Sequence, residues 1–328
     1  MDSGGLLASG PATPTIISHR MIQSRAVATR FAQCEIPRRG AFPRQTRVAR
    51  MDGSLTNLRN PVVIMAFEGW NDASDAATSA IDHIGLSYDT DVVFEIDGEE
   101  YYDFQMNRPR VSITESTERD IEWPAVQIAV AHLPERDVVL VSGPEPNLKW
   151  RSFTSALVSA IRTVDPAMVV VLGAMLTDSP HSRPLPVTGT ANDVRLATTL
   201  GLEPSNYEGP TGIVGILADG LRRAGMPVVS LWAQVPHYVS DSPNPKATLA
   251  LLVRIEDLLD TPLVLGELPE LAQAWERGVD ELASEDPDVA EYIRRLEAAQ
   301  DEEDLPAATG DSIAAEFQRY LRRRNEGR

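Results

Sequence analysis

Short apolar runs that alternate with helical segments constrain the fold of this chain more than any other feature. Residues 61–67 and 168–175 are continuous runs rich in branched side chains, as expected of strands buried on both faces. Segments with helical periodicity stand between such runs; in residues 148–164, apolar side chains recur at spacings of four. This alternation predicts an α/β three-layer sandwich, in which a largely parallel central sheet is covered on both faces.

The composition divides the chain into three parts, of which the first is an N-terminal arm, residues 1–57. Its first 50 residues hold eight arginines against two acidic residues and show no apolar periodicity. The arm is therefore predicted to be disordered, or to be an over-extended start to a chain that begins near Met51. An organelle transit peptide has a similar composition and stays open as an alternative. Residues 58–262 carry the strand and helix pattern and form the predicted α/β core domain.

The third part, residues 263–328, is predicted to be a small acidic helical subdomain. The strand pattern stops after residue 262, and three apolar stripes with helical spacing follow, centred on Trp275, Ile293 and Phe317. Residues 256–304 hold 17 acidic residues against three basic ones. Such a segment is usually a solvated helix face, and an acidic docking surface is the functional alternative.

Composition also excludes several classes of protein. The net charge of −18 argues against a nucleic-acid partner, since phosphate contacts need clustered Lys and Arg. No apolar run approaches the ~20 residues that a membrane span needs. The single cysteine, Cys34, excludes a disulfide framework, and the five scattered histidines show no metal-binding spacing, so no metal site is predicted. The sequence therefore predicts a cytoplasmic protein.

Several polar residues stand in loops that are predicted to follow strands. In an open α/β sheet, binding sites form outside the carboxyl ends of the strands. The loops expected there are residues 69–72, 143–146, 176–192 and 237–241. The candidate ligand pocket combines side chains from these loops with the start of a later helix; its members are Asn71, Asp72, Thr190, Asn192, Thr211, Gly212, His237 and Tyr238.

Each chemical interpretation of these residues has a simpler structural alternative. Residues 209–212 begin a helix and could bind phosphate through free backbone N–H groups, or form a capped helix start. Asn71 and Asp72 could serve in acid–base chemistry or cap a helix. His181 and His237 could act as general bases or as structural histidines. The sequence contains no P-loop, dinucleotide fingerprint or nucleophile elbow, so no catalytic residue and no cofactor are predicted.

Five ordered segments resemble those of the proteasome assembly chaperone 2 family, in its actinobacterial branch. They read AFEGWND at residues 66–72, PHSRPLPVTGT at 180–190, YEGPTG at 207–212, VPHY at 235–238 and PNPKA at 243–247. The resemblance runs from about residue 61 to residue 259 and does not cover the arm. It implies a fold similar to that of nucleoside phosphorylases and hydrolases, and a homo-oligomer such as a trimer. It implies no established enzyme activity.

The resemblance also implies partners. Relatives help to assemble the core proteasome, and many of them dock through a C-terminal ending of a hydrophobic residue, Tyr and any residue. This chain departs from that ending, because seven residues follow Tyr320-Leu321. We therefore expect a non-enzymatic homo-oligomer that acts as an assembly factor or scaffold, with proteasome subunits as candidate partners. The alternative is a small-ligand binder or phosphorylase-like enzyme, in which Asn71, Thr190 and Thr211 hold a phosphate or sugar and His237 or Asp72 transfers a proton.

Overall fold

The computed structural model describes residues 55–113, 119–191, 194–202 and 207–304. The predictions for residues 1–54, for Asn192 and for the apolar stripe around Phe317 lie outside the described residues. Leu55, which falls within the predicted arm, is buried in the core.

A seven-stranded sheet with the order β2-β5-β6-β1-β7-β9-β8 forms the centre of the molecule. The strands β6, β1, β7 and β9 run parallel, while β5 is antiparallel to β6, β2 to β5, and β8 to β9. A separate antiparallel hairpin consists of β3 and β4. The strands are β1 Val62–Glu68, β2 Thr90–Ile96, β3 Arg110–Ile113, β4 Arg119–Glu122, β5 Val126–His132, β6 Asp137–Pro144, β7 Met168–Thr177, β8 Val187–Ala191 and β9 Val228–Pro236.

Helices cover both faces of the sheet. The first face packs against α1 and α5, with α3 at its side, and the second packs against α2 and α4. The helices are α1 Ala76–Ser87, α2 Trp150–Val164, α3 Val194–Leu200, α4 Ile213–Arg223, α5 Pro245–Leu259, α6 Leu268–Ser284 and α7 Pro287–Asp304. The predicted three-layer α/β sandwich with a largely parallel sheet and C-terminal helices is confirmed.

The strand β1 shows why the sequence folds in this way. Successive side chains of a strand point to opposite faces, so Ile64 and Ala66 pack on the α1 side while Met65 and Phe67 pack on the α2 side. All four are 0–1% exposed. Burial of a large apolar side chain contributes roughly 1.5–3 kcal/mol, so a run that is apolar on both faces is strongly favoured at the centre of the sheet.

Two local predictions need correction. Residues 176–192 were expected to form one long loop, but they contain β8, which pairs with β9 at the edge of the sheet. Its sequence, VTGTA, is too polar for a buried strand. The helix expected from residue 73 begins at Ala76, after a 3-10 turn at Ala73–Asp75, because Asp75 adopts a left-handed conformation with φ 53°.

The C-terminal helices pack beside α5. Trp275 and Val279 of α6 are buried, and Ile293 is the residue of α7 that is most clearly buried among those described. The remaining face of α7 is rich in exposed acidic side chains. Within the described part of the chain, no helix combines the length and apolar character that a membrane crossing requires.

Candidate functional site

The carboxyl ends of the four parallel strands lie at one edge of the sheet. Their last residues are Glu68, Pro144, Thr177 and Pro236, and the loops after them carry most of the polar residues singled out from the sequence. The structure divides these residues into two groups. We call them the Asn71 cluster (Asn71, Asp72, Glu145, Gly212) and the His181 cluster (Asp178, His181, His237, Tyr238, Asp280).

The Asn71 cluster joins the loops after β1 and β6 to the start of α4. The side chain of Asn71 is 1% exposed, and its Nδ2 donates a hydrogen bond to Glu145 Oε1 over 2.8 Å. The backbone N–H of Ile213 donates to the same oxygen, also over 2.8 Å. Glu145 therefore caps α4 with its carboxylate, at the place where the sequence suggested a phosphate site.

Gly212 belongs to this cluster because nothing larger fits. A Cβ atom on Gly212 would lie 2.2 Å from Asn71 Oδ1 and 2.5 Å from its Nδ2. The backbone of Gly212 is extended, with φ −91°, so the requirement is one of space. Thr211, next to it, is exposed, and its hydroxyl stays local, donating to the Gly212 carbonyl over 3.4 Å.

Asp72 caps the first turn of α1 from a buried position. Its carboxylate accepts hydrogen bonds from the backbone N–H groups of Ala77, over 2.6 Å, and Thr78, over 3.1 Å, and from the Thr78 hydroxyl. Burial raises the pKa of Asp72 to about 7, and the hydrogen bonds from Thr78 and Ala77 oppose that rise. These three hydrogen bonds support the interpretation of Asp72 as a helix-capping residue.

In the His181 cluster, both ring nitrogens of a buried histidine are engaged. His181 is 1% exposed; its Nδ1 lies 2.8 Å from the Tyr238 hydroxyl, and its Nε2 lies 3.0 Å from Asp280 Oδ1 on α6. Burial lowers the pKa of His181, while the hydrogen bond to Asp280 opposes this effect. The Lys246 ammonium donates to the His181 carbonyl over 2.5 Å and to the Glu276 carboxylate.

His237 lies at the junction with α7. Its Nδ1 is 3.2 Å from the Thr177 carbonyl and 3.2 Å from Asp178 Oδ1. Its ring packs edge-on against Tyr238 and Tyr292, with centroids 5.7 and 5.8 Å away. These contacts seat α7 on the carboxyl ends of β7 and β9.

The proline-rich loop after β7 is tied to the acidic face of α7. The Arg183 guanidinium donates two hydrogen bonds to the Asp301 carboxylate, over 2.8 and 2.9 Å. The Ser182 hydroxyl donates to Glu297, and Gln300 Nε2 donates to the Pro184 carbonyl over 3.2 Å. Some of the acidic side chains that were predicted to form a solvated helix face therefore bind this loop through hydrogen bonds.

Thr190 lies apart from both clusters. It pairs with Ser230 of β9, which pairs with Val171 of β7, which in turn pairs with Met65 of β1. Three strand spacings of about 4.8 Å place Thr190 roughly 14 Å from β1, at a level that β1 reaches before its carboxyl end. The structure thus groups Asn71, Asp72 and Gly212, groups His237 with Tyr238, and separates Thr190 from them.

Sequence reasoning missed the partners that complete these clusters. The sequence correctly placed the loop that contains Glu145 at the carboxyl edge of the sheet, but no residue pattern around Glu145 indicates that it caps α4. Asp280 is distant from His181 in the chain and stands in no motif, while Lys246 stands in the PNPKA segment, which gives no sign of its contact with His181. In the described ranges, no group of three or more His, Cys, Asp or Glu side chains is arranged to hold a metal ion.

A cleft of about 1040 Å³ opens beside the Asn71 cluster. Its floor is formed by Glu68, Gln127 and Ser142 of three neighbouring strands, and α1 forms one wall. Burial raises the pKa of Asp82, on that wall, to about 7, and the charges of Glu68, Asp72 and Asp75 add to this rise. Residues 106–110 and 122–125 form the opposite wall.

The hairpin of β3 and β4 presents an apolar face outside the sheet. Val111 pairs with Ile121, and Ile113 lies two residues from Val111, so these three side chains share one face. Each is more than half exposed. Ser112 and Asp120 stand on the opposite face. The hairpin therefore carries apolar side chains that the described residues leave largely exposed.

Comparisons with known proteins place these features in a wider group. The sequence profile of the PAC2 family matches residues 66–283. A PAC2 family protein from Streptomyces avermitilis is 52% identical, with 71% of this chain and 99% of that chain covered and a TM-score of 0.68. A proteasome-assembly chaperone homologue from Mycobacterium tuberculosis is 48% identical, with the same coverage and a TM-score of 0.65.

A more distant structure shares the fold alone. The archaeal proteasome activator PbaB from Pyrococcus furiosus is 15% identical, with 69% of this chain and 94% of that chain covered and a TM-score of 0.54. No curated protein matches the chain.

Proposed function

Because the chain belongs to the PAC2 family, we propose that it is a non-enzymatic, homo-oligomeric protein that acts as an assembly factor or scaffold through protein–protein contacts. A relative that is 48% identical over almost its whole length bears the name of a proteasome-assembly chaperone homologue, which supports proteasome subunits as partners. The trimer and the cytoplasmic location expected from the sequence are part of this proposal.

The apolar face of the β3–β4 hairpin, which stays exposed among residues 55–113, 119–191, 194–202 and 207–304, is the observation that carries the proposal. A two-stranded hairpin is marginally stable alone, and exposed apolar patches on soluble proteins mark interaction sites. Covering Val111, Ile113 and Ile121, each already partly packed, would contribute on the order of 1 kcal/mol per side chain. We propose that a second copy of the chain covers this face in the oligomer.

The test compares two substitutions on opposite faces of one strand. Ile113→Asp places a charge on the apolar face, and Ser112→Asp places the same charge on the polar face. Light scattering after size-exclusion chromatography should give a multiple of the 35.9 kDa chain mass for the unsubstituted protein and for Ser112→Asp. Ile113→Asp should give the mass of a single chain. A monomeric unsubstituted protein, or an oligomeric Ile113→Asp variant, would refute the proposed interface.

The proposed partner needs a separate measurement. Purified proteasome core particles are immobilised, and binding of the full chain is followed by interferometry. We expect binding by the oligomer, and an apparent affinity about 100-fold weaker for monomeric Ile113→Asp, because several linked contacts bind more tightly than one. Ser112→Asp should bind like the unsubstituted chain. If no variant binds core particles or their free subunits, the assembly role fails even where the oligomer is found.

A further inference from the structure

Strand β9 is fully covered on one of its two faces only. Between residues 230 and 235, the side chains on the first face are 0% exposed, whereas those on the second face remain partly exposed. The first set is Leu231, Ala233 and Val235, and the second is Ser230, Trp232 and Gln234. A strand inside an α/β sandwich is usually buried on both faces. Among the described residues, the second face of the sheet is therefore left partly open at β9.

The open area extends from β9 to both neighbouring strands. Met175 of β7, which pairs with Gln234, is 40% exposed. Thr188 of β8, which pairs with Trp232, is exposed as well. The Trp232 ring lies across Gly173, where a Cβ atom would be 2.5 Å from the ring. We call this area the Trp232 face (Met175, Thr188, Thr190, Ser230, Trp232, Gln234). Its two apolar side chains, Trp232 and Met175, favour an occupant that buries them.

The end of α7 lies close to this face. Gln300 Nε2 donates a hydrogen bond to the Pro184 carbonyl over 3.2 Å, and two residues later the Pro186 carbonyl accepts a hydrogen bond from the Gln234 N–H over 2.9 Å. Gln234 is the partner of Met175 in the sheet. With about 3.3 Å per extended residue and about 4.8 Å per strand spacing, these contacts form a path of roughly 30 Å from the end of α7 to Met175. The chain that continues beyond α7 therefore starts within reach of the Trp232 face.

The sequence beyond α7 has the pattern that such a face requires. Ile313, Phe317 and Leu321 recur at spacings of four and form one apolar stripe, and Ser312 before them is a candidate N-cap. A helix of about ten residues is marginal in water by itself, because most helices depend on the packing of an apolar face. Nine residues separate Asp304 from Ile313, and an extended chain of that length covers about 30 Å. The stripe can therefore reach the Trp232 face.

We propose that residues 312–321 form a helix that packs its apolar stripe against the Trp232 face of the same chain. Phe317, in the middle of the stripe, contacts Trp232 and Met175. Ala315 and Arg319 lie on the opposite side of the helix and face solvent. The segment then completes the cover of the sheet at β9. The inference is independent of the hairpin interface and of the proteasome partner proposed above.

Hydrogen–deuterium exchange of the full chain, followed by mass spectrometry, tests the contact. The amides of residues 313–321 should exchange about 10-fold more slowly than in Phe317→Asp, which places a charge at the centre of the stripe. Ala315→Asp places the same charge on the opposite side of the helix and should keep the protection. Protection of α6 in every variant establishes that the rest of the chain is folded.

Substitutions on the sheet supply the complementary comparison. Met175→Asp places a charge on the Trp232 face and should raise the exchange of residues 313–321 to the level seen in Phe317→Asp. Val264→Asp makes a similar change at a residue that is 53% exposed and lies beside Tyr88, away from this face. Val264→Asp should leave the exchange of residues 313–321 unchanged.

A distance between two spin labels establishes which chain's face is covered. The labels are attached at Val194→Cys, at the exposed start of α3, and at Arg319→Cys, with Cys34→Ser removing the native thiol. Pulsed electron–electron resonance should give one narrow distance distribution. A tenfold excess of unlabelled chain, added before a cycle of unfolding and refolding in urea, should leave that distribution unchanged, because both labels belong to one chain.

Three results would overturn the proposal. The first is rapid exchange of residues 313–321 in the unsubstituted chain. The second is protection of these residues that Met175→Asp leaves unchanged, which would mean that the segment covers another surface. The third is loss of the narrow distance after mixing with unlabelled chain, which would mean that the segment packs on a second copy.

Discussion

Replacement of Gly212 by Ala tests whether the Asn71 cluster locks α4 to the sheet. The new Cβ would lie 2.2 Å from Asn71 Oδ1 and 2.7 Å from its Cγ, well inside van der Waals contact. Asn71 is 1% exposed, and a displaced Asn71 side chain would lose the hydrogen bond that its Nδ2 donates to Glu145. We therefore expect Gly212→Ala to displace the Asn71 side chain and weaken the cap of α4.

Two effects contribute to the loss in free energy of unfolding that Gly212→Ala should cause. Overpacking in a tight interior costs typically 1–3 kcal/mol, or about 2 here. Loss of a hydrogen bond to a charged group costs about 1.5–3 kcal/mol. Asn71→Ala, which removes the hydrogen bond to Glu145 without a clash, should therefore lower the free energy of unfolding by about 2 kcal/mol. Gly212→Ala should then lower the free energy of unfolding by about 3–4 kcal/mol, since it causes the clash and disturbs the hydrogen bond.

A double-mutant cycle separates this mechanism from a general intolerance of alanine at the start of α4. With Asn71→Ala in place, the clash partner is absent, and adding Gly212→Ala should cost about 1 kcal/mol or less. The coupling between the two substitutions is then about 2–3 kcal/mol, as expected of residues in direct contact. Urea unfolding at one protein concentration and one pH measures all four proteins. Additive costs in the double variant would refute the argument.

Three further predictions concern the core and the C-terminal helices. The Arg59 guanidinium donates hydrogen bonds to the Asp137 carboxylate; burial alone would raise the pKa of Asp137, but the hydrogen bonds from Arg59 lower it to about 2. Asp137→Asn should therefore lower the melting temperature at pH 7. This difference in melting temperature should vanish as the pH falls from about 4 to 2, because the Asp137 carboxylate is then protonated in the unsubstituted protein as well. Arg183→Gln should raise amide exchange in α7 about two- to fivefold at low salt, measured by mass spectrometry, while α6 stays protected. Trp275→Ala, at a residue 3% exposed, should cost about 3–5 kcal/mol in urea unfolding, whereas Trp70→Ala, at a residue 67% exposed, should change stability by less than about 0.5 kcal/mol.

The sequence predicted the central strands because their pattern is local. Residues 62–67 are apolar at every position, and a strand with two buried faces is the simplest structure that buries them all. The edge strand β8 was missed because Val187–Ala191 alternates weakly and contains a glycine. That omission also explains Thr190, since a residue in an antiparallel edge strand moves away from the carboxyl ends as the strand proceeds.

The clusters could be predicted only in part. Topology placed Asn71, Asp72, His237 and Tyr238 at the correct edge, since parallel strands end together. The hydrogen bonds that determine what each side chain does are formed with residues far away in the sequence. Asn71 bonds to a residue 74 positions away, and His181 to one 99 positions away, and neither pairing leaves a spacing signal in a single sequence.

The C-terminal helices α6 and α7 cover one half of the carboxyl edge of the sheet, and the described part of the chain leaves the other half exposed. The loops after β7 and β9 are occupied by α6 and α7, through His181, His237 and Arg183. The loops after β1 and β6 border the open cleft, and exposed Trp70 and Leu148 stand in those loops. Apolar side chains exposed beside this cleft favour binding there, because a partner that buries them gains free energy. The half covered by α6 and α7 offers less of this gain, since its side chains already pack within the chain. A partner that binds at this edge should therefore approach from the β1–β6 side, where substitutions at Trp70 and Leu148 would weaken its binding without unfolding the chain.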